Sequence, residues 1–115
     1  MPWRRGRSQK ELWEKAKEIK TLLKEEIKDW LGVEEYELRS LYFQLRSIFE
    51  IDYSVLSESS LKQIDEELEF SKTYWRLSYL ELQLLYDALR LIHQPFYGEE
   101  KLRYAEEILS FLKKR

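Results

Sequence analysis

Two short constellations of cations and aromatic rings are the most chemically suggestive residues of this 115-residue chain. Arg39, Phe43 and Arg46 recur at i, i+4 and i+7, so on a helix they share one face. Lys72, Trp75, Arg76 and Tyr79 repeat that spacing further along and are expected to share a face of the next helix. A guanidinium beside an exposed ring suits single-stranded nucleic acid, with the cation on phosphate and the ring under a base. The competing reading is ordinary surface arginines whose aliphatic stems lie over core aromatics.

Other chemistries find less to work with. His93 is the only histidine, and without Glu-x-x-His pairs a helical metal site has no ligand set. Its place just before Gln94-Pro95 reads as a capping or surface position. Glu66, Glu67 and Glu69 could suggest paired acid–base carboxylates, but they are neighbours on a predicted helix and read as a solvated face. The sequence lacks a glycine-rich phosphate loop. It contains no cysteine, which excludes disulfides and thiolate-bound zinc. The chain is therefore read as a non-enzyme without cofactor or metal.

The elements that must carry these residues are helices. Leu, Glu and Lys dominate, and three glycines with two prolines are too few for a turn-rich β-sandwich. Ser8 with Glu11 forms a capping box. Leu12, Ala16, Ile19, Leu23, Ile27 and Trp30 then draw one apolar stripe, which Gly32 ends. A second helix begins near Glu34 with Leu38, Leu41, Leu45 and Ile48 as its buried line. Residues 50–59 read as a connector. Ser60 with Gln63 is the expected cap of a third helix through Leu61, Ile64, Leu68 and Trp75. Ser78 with Glu81 predicts a break near Leu77 and a fourth helix with Leu82, Leu85, Leu89 and Ile92; one unbroken helix over 60–92 is the alternative. Pro95 ends that segment, Gly98 closes the loop, and Leu102, Ala105, Leu109 and Leu112 line a last helix. The expectation is an all-α fold: a compact bundle of four to five helices with short loops, spanning residues 8–115 behind a flexible basic arm, 1–7. Most of the aromatics, 15% of the chain, are expected in its core.

Charge is unevenly spread. Residues 1–28 carry nine Lys/Arg against five Glu, residues 29–100 six against fifteen acids, and residues 101–115 five against two. Basic ends and an acidic middle predict weak, salt-sensitive self-association between unlike ends. No apolar run reaches membrane-spanning length and no apolar stretch follows the basic start, so the protein is read as cytoplasmic, without a membrane partner. The absence of asparagine, with abundant Glu, Lys and Arg, points to a heat-adapted source.

The second and third helices resemble a known family. Glu35-Tyr36-Glu37-Leu38-Arg39-Ser40-Leu41, followed by Leu45 and Ile48, is similar to the helix opening of the α-helical small subunit of type III-A CRISPR effector (Csm) complexes. Ile64 through Arg76 resembles that family's acidic helix running into lysine and aromatics. Tyr104 through Phe111 is loosely similar to its closing helix. Where the family often has a Tyr-x-Ala-Gly-Arg turn, this chain has Leu77-Ser78-Tyr79, and it is also less basic. The resemblance implies a non-catalytic structural subunit of an antiviral RNA-guided nucleoprotein complex, contacting neighbouring subunits and guide or target RNA. Arg39, Phe43, Arg46, Lys72 and Arg76 would be its RNA-binding residues. The alternative from the residues themselves is a helical protein–protein interaction module, an adaptor or viral accessory protein without a nucleic-acid role. A third reading is a helical accessory of DNA replication.

Overall fold

Five helices follow one another in the computed structural model, which describes residues 9–95 and 98–114, with every side chain among them but that of Tyr53. They are α1 (Gln9–Leu31), α2 (Glu35–Phe49), α3 (Glu58–Trp75), α4 (Tyr79–His93) and α5 (Glu99–Lys113), with a single 3₁₀ turn at Tyr53–Val55 between α2 and α3. No strand occurs among the described residues. The all-α bundle expected from periodicity is the observed fold. The expected arm at 1–7 and the Ser8 cap lie outside the described residues.

The leucine lines are the buried lines. Ile19, Leu23 and Ile27 of α1, Leu38, Leu41, Leu45 and Ile48 of α2, and Leu82, Leu85 and Leu89 of α4 are at most 4% exposed. Leu102, Ala105, Ile108 and Leu112 of α5 join the same core. Burying one such side chain contributes roughly 1.5–3 kcal/mol, so this apolar layer holds the bundle together. α4 lies at its centre, packing against α2, α1 and α5, and seven of its fifteen residues are buried. By contrast α3 packs chiefly on α2 and buries only Ile64 and Ser71.

Local signals decide where the helices stop. Gly32, at φ +66°, takes the left-handed conformation that ends α1. Ser78 and Glu81 make the predicted capping box: the Ser78 hydroxyl accepts from the Glu81 N–H at 3.2 Å, and Glu81 accepts from the Ser78 N–H at 2.9 Å. The break near Leu77 is therefore real, and 60–92 is two helices. The third helix departs from expectation at its start. Its cap is Ser57, whose side chain accepts from the Ser60 N–H at 3.3 Å, so α3 begins at Glu58 rather than after Ser60. Ser57 caps because the chain is extended there, at φ −74° and ψ 165°, while Ser60 already lies within the helix.

No helix among the described residues is long and apolar enough to cross a membrane.

Candidate interaction surfaces

The fold splits the two predicted cation–aromatic faces. On α2 the expected face exists: the Arg39 guanidinium lies over the Phe43 ring, 5.7 Å from its centroid, and Phe43 is 49% exposed. Arg46 is turned aside, its Nε 2.7 Å from Glu50 Oε2. On α3 Lys72 reaches Glu69 at 3.3 Å. Arg76 is not on a helical face at all. It is the C-cap of α3, with φ 57° and ψ 46°. That left-handed turn breaks the three- and four-residue spacing, so Tyr79 belongs to α4 and packs on Phe49 with ring centroids 5.7 Å apart. The expected shared face of Lys72, Trp75, Arg76 and Tyr79 is thus corrected to three separate environments, with Trp75 half-buried against the core.

The α2 and α3 cations do not line the groove between their helices. Gln44, Ser47 and Ile48 face Gln63, Glu66, Glu67, Phe70 and Ser71 across a groove of about 420 Å³. A second concavity continues it past Glu37, Ser40 and Leu41 to Tyr74 and Trp75. At 3.6 residues per turn, Gln44 stands roughly 140° and 160° round α2 from Arg39 and Arg46. The α2–α3 groove is therefore acidic and aromatic, and the cations of α2 look elsewhere.

The aromatic rings are the larger correction. Eight of the thirteen aromatic side chains that the structure describes are exposed, so most are not core. Leucine and isoleucine already fill the narrow space between five helices, which leaves rings on the rim. Phe70 and Tyr74 are 61% and 65% exposed and stack on each other at 5.9 Å, 24° between planes. Tyr74 in turn meets Trp75 edge-on at 4.9 Å. Sequence reading passed over this pair although a signal was present. Phe70 and Tyr74 are four residues apart and lie off the Leu61–Ile64–Leu68 line.

The buried rings form a different group, between α2 and α4. Tyr42 stacks on Tyr86 at 6.1 Å and on His93 at 5.0 Å, and Phe49 stacks on Tyr86 at 5.4 Å. His93 Nδ1 lies 2.9 Å from the Leu89 carbonyl, which places the proton on that nitrogen. His93 thus bonds a carbonyl of the last turn of α4, in keeping with the capping reading, and is half-buried against Tyr42 rather than a surface residue. Around this cluster a polar chain runs from Arg46 to Glu50, on to Arg90 at 3.7 Å, then through Gln94 to the Tyr42 hydroxyl at 2.7 Å. The Tyr86 hydroxyl is buried and has no hydrogen bond of good geometry. Burial, and then the Glu50 carboxylate beside it, raise its ionisation well above the ordinary tyrosine range. A buried hydroxyl is normally hydrogen-bonded, and the Glu50 carboxylate is the neighbouring group able to accept from it.

The acidic residues that might have formed a catalytic pair, Glu66 and Glu67, are exposed on α3 with Glu69. No group of three or more metal-ligating residues occurs among the described residues. Compared with family models, curated proteins and solved structures, the chain matches none of them.

Proposed function

We propose that this chain is a non-catalytic helical interaction module, a small structural subunit that holds neighbouring proteins through exposed aromatic rings. The observation that carries the reading is the stacked pair Phe70 and Tyr74, both more than half exposed, on the rim of the α2–α3 groove. Aromatic rings are enriched at protein interfaces because they bury much area with little loss of side-chain freedom, and a contiguous exposed patch marks such a site. The setting is that of a cytoplasmic protein. The test is recovery of partners by the tagged chain from its native extract, beside a Phe70→Ser/Tyr74→Ser variant of unchanged helicity. The expected outcome is a defined set of proteins that the variant loses. Identical sets from both would sink the reading.

A second reading, RNA contact, is favoured by one observation: Arg39 and Phe43 are already paired and face solvent on α2. Here the subunit would belong to an RNA-guided complex of the kind its resemblance to the Csm small subunit implies, with Lys72 and Arg76 as outlying contacts. Arg46 would have to leave Glu50 to reach a phosphate. RNA binding at two salt concentrations, compared with Arg39→Glu/Arg46→Glu, measures this. Each lost phosphate contact should flatten the log–log salt slope by about 0.7–0.9, and equal binding by both proteins would remove the reading.

A further inference from the structure

We infer that the α2–α3 groove takes the basic segment Trp3-Arg4-Arg5-Gly6-Arg7 of a second copy of this chain. The inference rests on the interaction-module reading and names its partner. Three features of the groove define its occupant. Glu66 and Glu67 line it, exposed and without an ion pair to any other described residue, so it calls for positive charge. Phe70 and Tyr74 offer stacked, solvent-facing rings on the same wall, a platform for a guanidinium or an indole. Polar Gln44, Ser47 and Gln63 complete the lining with side chains able to bond a peptide backbone. The wanted ligand is a short segment that combines arginines with a large ring.

The chain itself supplies one. Residues 3–7 hold three arginines and Trp3, within an N-terminal quarter that is net positive, whereas the groove lies in the strongly acidic stretch 29–100. Arginine pairs bidentately with carboxylates and stacks on rings, so it uses both parts of the groove where lysine would use one. Each copy carries one such segment and one groove. Two copies can exchange segments to close a dimer, and a one-way contact extends into longer chains. Exposed charge pairs are individually weak, so the association is shallow and salt-sensitive.

Charge exchange tests this in the full-length protein. One variant reverses the segment (Arg4→Glu, Arg5→Glu, Arg7→Glu) and another reverses the groove (Glu66→Lys, Glu67→Lys). Glu66 and Glu67 are exposed on α3, and circular dichroism checks that each variant keeps its helicity. In sedimentation at low salt the natural protein should be heavier than a monomer and each variant alone monomeric. An equimolar mixture of the two should regain the higher mass, because the acidic segment of one fits the basic groove of the other. Phe70→Ala should weaken natural association at least severalfold. A natural protein that is monomeric at low salt overturns the inference, as does a mixture that stays monomeric. Partner proteins recovered through Phe70 and Tyr74 in that case would leave the interaction-module reading intact, with a different occupant. Association that survives both reversals would place the self-contact elsewhere and overturn the inference too.

Discussion

The imidazole of His93 lies parallel to the phenol ring of Tyr42, with centroids 5.0 Å apart and planes inclined by 7°. Tyr42 is thus held by a stacked ring on its face and by the Gln94 amide, which donates to its hydroxyl at 2.7 Å. The two contributions separate by substitution. Tyr42→Phe keeps the ring and removes one hydrogen bond, which should lower stability by about 0.5–1.5 kcal/mol. Tyr42→Ala also empties a buried site between α2 and α4 and should cost about 3–5 kcal/mol. Urea unfolding monitored by helicity reads both, and similar losses would mean that the ring is not packed as described.

Acid should strip stability from the same region through Glu50. Its carboxyl is held below the usual glutamate range, first by the Tyr86 hydroxyl and then by Arg46 and Arg90, against the desolvation that opposes this. A folded-state pKa below the unfolded one contributes stability that is present above about pH 4.3, the ordinary glutamate value, and is lost as pH falls through the folded value. Natural protein should therefore exceed Glu50→Gln in stability near neutral pH, and the gap should shrink on acidification below about pH 4. A gap that does not change with pH would exclude the linkage.

Alkali acts in the opposite sense on α5. Burial, and then the Asp87 carboxylate that accepts from the Tyr104 hydroxyl at 2.6 Å, push Tyr104 up to about 12. The neutral phenol is the bonded form, so its contribution is fully present below the ordinary tyrosine pKa, about 10, and disappears as pH rises through 12. Phenolate absorbance should show a late-ionising group that Tyr104→Phe removes. If the high-pH portion of the titration is the same in both proteins, the Tyr104–Asp87 bond is not formed in solution.

Composition makes a claim of its own about heat. A chain without asparagine and rich in Glu, Lys and Arg should melt cooperatively above the ~45–65 °C range of mesophile domains. Scanning calorimetry decides it, and a midpoint near 45 °C would refute heat adaptation.

How much of this was legible in sequence differs by type of signal. The apolar lines of α1, α2, α4 and α5 were readable because a leucine every three or four residues has one low-energy solution, burial on one side. The Ser78–Glu81 box was readable because both of its bonds are local. The start of α3 was not, since Ser57, Ser59 and Ser60 offer competing caps and only the extended backbone at Ser57 selects among them. The rings misled for a tertiary reason. Phe70 and Tyr74 are as apolar as core residues, and only the shallow docking of α3 on α2 leaves them in solvent. The face of Lys72 to Tyr79 failed at Arg76, where an arginine adopts a turn that sequence reading assigns to glycine.

That turn yields the sharpest separation of structure from function. Arg76 is the one described non-glycine residue with positive φ, at 57°. An L-residue in that region costs roughly 1–2 kcal/mol relative to its preferred conformations, and glycine largely escapes the cost. Glycine also loses more chain entropy on folding, by roughly 0.5–1 kcal/mol. Because the side chain of Arg76 is exposed, Arg76→Gly should raise stability by up to about 1 kcal/mol. Arg76→Ala keeps the strained turn and should not stabilise at all. Both variants remove the cation. If Arg76 contacts RNA, both should lose binding equally while differing in stability, as chemical denaturation and a binding titration on the same samples would show. Should Arg76→Gly instead unfold more easily than the natural protein, the left-handed cap between α3 and α4 is not the conformation in solution.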